Sequence, residues 1–253
     1  MAPSSHVIIV GVTGEMGRRI ASRMIALGYS VIGVARQRKP LLELRDALAP
    51  AGEFIPCVAD ISHDQSIESI AGLISLPVKA VIHAAGVPTA GGVLSAPTDA
   101  LIQAMNIKVA GMVRLVRAVD KDLFPGSRII GIGGHYGFEP TAYAATAGVA
   151  NAALTNLIKQ FSWAYGPRKV TAHLLAPGPA DTPRLHRVAE AKAEREGVTQ
   201  QDVLDGLKLE SALGEFTDVD DVVWGVEMLL SPHAKALAGS VLFMDAGRRR
   251  GIP

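Results

Sequence analysis

An α/β fold on a doubly wound parallel sheet is predicted by three features of this sequence. Short β-branched runs alternate with segments of helical periodicity along the chain. The connections between them are mostly short, which specifies parallel strands joined by right-handed crossovers. Residues are 49% hydrophobic but only 5% aromatic. Such a core is built from Ala, Val, Ile and Leu, and suits a sheet of about seven strands with helices on both faces. At 253 residues the chain can bury that core as a single domain over 1–253, and no linker-like stretch or internal repeat divides it.

The first strand is expected over 6–10. A helix follows from residue 15, with Met16, Ile20, Met24 and Leu27 on one face and Gly28 ending it. Residues 30–35 read as a strand, 40–48 as a helix, 53–58 as a strand, 63–74 as a helix and 80–83 as a strand. A long helix is predicted over 98–122, a strand over 128–132, and a second long helix, rich in Ala and Gly, over 141–165. Strand six spans 170–175. The helix over 217–230 opens with Thr217-x-x-Asp220, a capping-box-like start, and 240–243 is the last strand. The connection over 177–215 breaks the pattern, being far longer than a usual βα loop. It leaves the carboxyl end of a strand, where ligands bind in open α/β sheets. Residues 179–215 are therefore expected to form a substrate lid, with a plain surface excursion as the alternative.

The formal net charge is +1, which gives no electrostatic reason to expect nucleic acid or an anionic membrane as partner. Arg248, Arg249 and Arg250 form the one basic cluster, read as a solvated tail or a subunit contact. The single cysteine, Cys57, ends an apolar run and is expected to be a buried thiol in a reducing, cytoplasmic setting. The first five residues lack the pattern of a secretion signal, and no apolar run reaches the ~18 residues of a membrane span.

The first strand runs into Gly11-Val12-Thr13-Gly14-Glu15-Met16-Gly17. In a strand–turn–helix setting the first glycine permits the tight turn and the second lets backbone approach a pyrophosphate. The third lets the helix pack closely on the sheet, with its N-terminus aimed at the phosphates. This predicts a Rossmann-type dinucleotide site, with Thr13 and Met16 beside the glycines in the binding turn; a ligand-free tight turn is the alternative. After the second strand, a reader of the ribose 2′-hydroxyl would be Asp or Glu, but the sequence has Arg36. A guanidinium there suits the 2′-phosphate of NADP, with NAD as second choice, unless Arg36 is simply a solvated loop residue.

Further segments, in order, make the chain resemble the short-chain dehydrogenase/reductase family over about residues 6–247. Asp60 sits where that family's adenine-contacting Asp lies. His83-Ala84-Ala85-Gly86 resembles its N-A-A-G, and Asn106 the Asn of its long fourth helix. Tyr143 opens Tyr143-Ala144-Ala145-Thr146-Ala147, similar to Y-x-x-x-K. Pro177-Gly178 with Thr182 resembles the P-G motif and its nicotinamide-contacting Thr, and residues 239–247 its last strand and D-G-G ending. The resemblance implies a nicotinamide cofactor, a small-molecule carbonyl or alcohol substrate, and a homodimer or homotetramer built on the two long helices.

The departures fall on the chemistry. The family's Ser orients the substrate carbonyl, and its Lys lowers the tyrosine pKa and anchors the ribose. Here the candidate Ser positions are Gly133 and Gly134, and the Lys position is Ala147. Lowering a phenol from pKa ~10 by three units needs roughly 4 kcal/mol from a cation. The next lysine on that helix, Lys159, lies about 24 Å along the axis at ~1.5 Å per residue. Tyr143 and Asn106 remain as catalytic candidates, with His135 as a substitute acid–base group and Tyr136 as a weaker one. Two functions follow: an NAD(P)(H)-dependent oxidoreductase with an altered site, expected to be weak on ordinary ketones, or a non-redox lyase, isomerase or dehydratase. A non-catalytic dinucleotide-binding module is a third possibility.

Overall fold

Alternation of side chains along the first strand decides which helices lie on which face. In the computed structural model, which describes residues 3–87 and 91–251, all five residues of β1 (His6–Val10) are buried. Val7 and Ile9 pack with Ile20 and Met24 of α1 (Glu15–Ala26), Leu41 of α2 (Arg38–Leu48), and Val222 and Val226 of α9 (Val219–Leu230). Ile8 and Val10 point the other way. They join Ile70 of α3 (Gln65–Ala71), Met112 and Leu115 of α5 (Gly111–Val119), and Leu154 and Ile158 of α6 (Ala145–Tyr165). The expected helices on both faces are thus present.

The remaining strands are β2 (Ser30–Ala35), β3 (Phe54–Val58), β4 (Val78–His83), β5 (Leu123–Ile132), β6 (Thr171–Pro177) and β7 (Val241–Met244). All pair in parallel, in the order β3-β2-β1-β4-β5-β6-β7. The direction of winding reverses between β1 and β4. The carboxyl ends of those two strands therefore border the crevice in which ligands bind in such sheets.

Several predicted elements differ in detail. The helix over 98–122 is α4 (Thr98–Met105), a π-helical turn (Asn106–Ala110) and α5, because Asn106 opens a one-residue bulge. The helix over 141–165 begins only at Ala145, which leaves Tyr143 in the preceding turn. Thr217 does not cap α9. Its hydroxyl donates to the Met244 carbonyl at 2.7 Å, while Asp218 accepts from Asp220 N at 2.8 Å. A reciprocal capping box does occur, unpredicted, at Thr199 and Asp202. It opens α8 (Gln200–Leu209), which with α7 (Pro183–Glu196) makes up most of the long 177–215 connection. These two helices close their own small core of Ala189, Ala193, Val203, Leu204 and Leu207.

The basic cluster is not a solvated tail. Arg248 is buried, donates to Leu207 O at 2.7 Å and pairs with Glu210. Arg249 stacks over Phe243, 4.3 Å from the ring centre. Cys57 is buried as expected, and burial pushes its thiol up to about 11. Among the described residues no helix is long and apolar enough to cross a membrane.

One buried cation ties the sheet to α9. Arg128 is 2% exposed and donates to Gly126 O (2.8 Å), Leu229 O (2.7 Å) and Ser231 O (2.8 Å). It thereby satisfies carbonyls at the end of α9 that have no partner within the helix. Arg128→Met is expected to strip these carbonyls of donors. A loss of about 3 kcal/mol, seen as a fall in Tm of roughly 6–12 °C by calorimetry, is the outcome that would support this reading. An unchanged Tm would refute it.

Candidate active site

The crevice between β1 and β4 is built by backbones in contact. Gly11 has φ +81°, and a Cβ there would lie 2.7 Å from the Ala85 Cα, so only glycine fits. A Cβ on Gly17 would overlap the Gly11 carbonyl oxygen and come within 2.7 Å of Val12 Cα. The start of α1 is thus drawn onto the turn. Its N-cap, Gly14, is exposed and offers no side-chain cap, which leaves the first N–H groups of the helix open to an anion. Thr13 and Met16 are partly exposed in the same turn.

Around this turn stand the other predicted cofactor residues. Arg36 is exposed just beyond β2, close enough to Asp60 to stabilise its charge. Burial works against ionisation of Asp60, but hydrogen bonds from Ser62 N (2.9 Å) and Ser62 Oγ (2.7 Å), with Arg36 and His63, hold its pKa below the usual value. Ala84, Ala85 and Gly86 follow β4, and Gly86 is exposed. Gly178 packs against Asp245 after β7, which places the end of β6, Pro177, beside that loop. Thr182 is the N-cap of α7 and accepts from Leu185 N at 3.3 Å. The glycine turn, the open helix end and the Arg36–Asp60 corner together fit a dinucleotide.

The catalytic candidates separate. Tyr143 and Tyr136 come together: their hydroxyl oxygens are 2.8 Å apart and their rings meet edge to face, 5.7 Å between centres. Burial first, then the neighbouring Tyr143, raises the Tyr136 pKa. Lys192 of α7 lies over the Tyr143 ring, 5.5 Å from its centre. Asn106 does not act on this pair directly. Its amide donates to Ser62 O at 3.0 Å and its carbonyl accepts from Arg114 at 2.9 Å, so it anchors the π turn to the loop after β3. His135 packs against Tyr136, 4.0 Å between ring centres. It is 4% exposed, and burial first, then Arg248, pushes its pKa down to about 4 despite Asp245 and the Pro177 carbonyl. Tyr136 follows the Gly134 position by only two residues, the one signal in the sequence for its place beside Tyr143.

Positive charge reaches the site from elements that inspection of the tyrosine's own helix could not reveal. Lys108, in the π turn, is buried and donates to Ala85 O at 3.0 Å. Burial and then Arg184 push it down to about 7. Arg184 of α7 donates to Val87 O at 2.7 Å and lies where a Cβ on Gly86 would be. Ala147 packs against the cluster of Val87, Ala104 and Ala150. His83, fully buried, donates from Nε2 to Ile107 O at 3.1 Å, tying β4 to the π turn, and burial pushes it down to about 3. The spacing of Arg184 and Lys192, two turns apart on a helix after the P-G motif, was the signal available in the sequence.

A family model described as enoyl-(acyl carrier protein) reductase matches residues 11–249. The chain belongs to the short-chain dehydrogenase/reductase family. The 3-oxoacyl-(acyl-carrier-protein) reductase FabG of Salmonella typhimurium is 22% identical over 245 residues, covering 95% of each chain. The NADPH-dependent reductase BacG of Bacillus subtilis is 26% identical over 125 residues, 49% of this chain and 48% of that one, so the match spans about half the length of that relative. Among solved structures, L-sorbose reductase of Gluconobacter frateurii, complexed with NADPH and L-sorbose, superposes with a TM-score of 0.91 at 19% identity, over 99% of this chain and 98% of that one. An actinorhodin polyketide ketoreductase variant with NADPH gives a TM-score of 0.91 at 21% identity, over 99% and 100%. These likenesses establish the short-chain dehydrogenase/reductase fold.

The buried histidines of this family member set a pH dependence. His83, His135 and His173 have folded pKa values of about 3, 4 and 4, against an unfolded value near ~6.5. As pH falls below ~6.5 the unfolded chain takes up protons that the folded chain refuses, which costs up to about 1.4 kcal/mol per pH unit for each histidine. Their contribution to stability is complete above ~6.5 and declines toward pH ~4. The Tm should fall across that window, and His135→Gln should make the slope shallower. An identical slope in the variant would show that His135 titrates normally.

Proposed function

We propose that the protein is an NADP(H)-dependent oxidoreductase that interconverts a small carbonyl compound and its alcohol through a rebuilt tyrosine pair. The observation that carries this reading is the 2.8 Å contact between the Tyr136 and Tyr143 hydroxyls. Bound NADP(H) supplies or accepts the hydride. Tyr143 is the proton donor to the carbonyl oxygen, or the acceptor in the reverse direction. Tyr136, kept protonated by its raised pKa, donates to the Tyr143 oxygen and stabilises charge that develops there. It provides the second hydroxyl that Gly134 lacks. Lys192, 5.5 Å from the Tyr143 ring centre, packs over the ring of the proton donor through a cation–π contact and holds it in place.

NADP is favoured over NAD because the exposed Arg36 stands beyond β2 beside Asp60, and because BacG and the two solved relatives are described with NADPH. Residues 179–215, with α7 and α8, are read as a lid on a single domain, since α7 brings Lys192 to Tyr143. A homodimer or homotetramer fits the exposure of Ile102 on α4 and of Val149 and Trp163 on α6, and a cytoplasmic setting fits the buried thiol. A lyase, isomerase or dehydratase on the same scaffold is less well supported, because burial removes His135 from acid–base work.

NADPH should bind more tightly than NADH, and Arg36→Asp should reverse the preference. With a panel of ketones and diketones, NADPH oxidation followed by absorbance should fall at least 100-fold in Tyr143→Phe and about 100-fold in Tyr136→Phe, the lower end of the range for loss of one transition-state donor. Full activity in Tyr143→Phe would overturn the mechanism. Binding of NADPH without turnover of any carbonyl would leave the protein as a non-redox enzyme or a binding module.

A further inference from the structure

Three cations crowd one edge of the crevice. Lys108 donates to Ala85 O at 3.0 Å, and Arg184 donates to Val87 O at 2.7 Å. Both hold the short backbone Ala85–Val87 that follows β4, and Ala85 is the residue against which Gly11 is packed. Lys108 is buried, whereas Arg184 is an exposed residue whose guanidinium lies against exposed Gly86. A side chain on residue 86 would collide with the guanidinium. The charges repel: Arg184 disfavours the charged form of Lys108, and Arg187 that of Arg184, each adding to desolvation. Such an arrangement gains from an anion, which relieves the repulsion and accepts the planar donor fork of the guanidinium.

We infer that Arg184, backed by Lys108, is an anion clamp that α7 lays over the crevice at Gly86, holding a negatively charged oxygen of the bound ligand. That oxygen belongs either to a dinucleotide phosphate or to a carboxylate on the substrate. The assignment adds a ligand contact to the proposed oxidoreductase and rests on that reading for the identity of the ligand, not for the existence of the clamp. Arg184 is a binding and positioning residue.

The test is a fluorescence titration of NADPH against the wild-type protein, Arg184→Ala and Arg184→Lys. Circular dichroism serves as the check on folding, which an exposed position should preserve. A tenfold to hundredfold weaker NADPH affinity in Arg184→Ala, partly recovered in Arg184→Lys, assigns the clamp to a dinucleotide phosphate. Unchanged NADPH affinity, with loss of the preference of the NADPH-loaded protein for 3-oxobutanoate over its methyl ester, assigns it to a substrate carboxylate. If neither changes, the clamp is refuted while the cofactor reading stands. If the wild-type protein ignores NADPH, the cofactor reading falls, and inorganic pyrophosphate tests the clamp by itself. Weaker pyrophosphate binding in Arg184→Ala then upholds it; equal binding, or none to the wild type, overturns it.

Discussion

Everything at the ligand end of this molecule depends on how closely three stretches of backbone approach one another. Gly11 meets Ala85 across the reversal of strand order, and Gly17 meets Gly11 at the start of α1. A methyl group at either glycine would push β1 from the end of β4, or lift the helix from the sheet. Because neither carries one, the open end of α1 and the backbone after β4 face the same crevice. Arg36 and Asp60 after β2 and β3, and Arg184 against Gly86 after β4, are brought to that crevice by elements with separate anchors. The hydrophobic core behind it is ordinary aliphatic packing; the crevice is what the glycines make possible.

The fold was legible because its signals are local and repeated. β-branched runs such as 6–10 and 30–35 coincide with β1 and β2, and the glycine turn falls between strand and helix where its pattern requires. Boundaries failed where a long-range contact outweighs local pattern. Thr217 resembles a cap in sequence but spends its hydroxyl on β7. Residues 123–127 join β5 because Ser127 bonds Val78 O at 2.7 Å across the sheet, which no spacing rule reveals.

The site was legible by position and opaque by chemistry. Tyr143 stood out in the sequence, while Tyr136 ranked lower because only the folded loop turns the two hydroxyls toward each other. Asn106 bonds Ser62 and Arg114, and His135 is buried, neither of which its place in the sequence reveals. The absence of a lysine at Ala147 suggested a site poor in positive charge. Lys108, Arg184 and Lys192 arrive there from a π turn and from a helix more than 35 residues further along the chain. Charge in a folded site is a sum over space, and a search along one helix samples a single line through it.

The π turn at Asn106–Ala110 has a consequence for how this region tolerates change. A bulge adds one residue to the helical ladder and so advances the side chains beyond it by about 100° relative to an unbroken helix. Upstream, Ala104 faces α6 through Ala150. Downstream, Met112, Leu115 and Val116 face the sheet. The two halves are in different rotational phase, and Asn106 is the stitch between them. Loss of a single residue here would leave a better-formed helix whose second half presents the wrong side to the sheet, whereas a conservative exchange of any one exposed residue would leave the phase intact. In this stretch the count of residues is under tighter constraint than their identity.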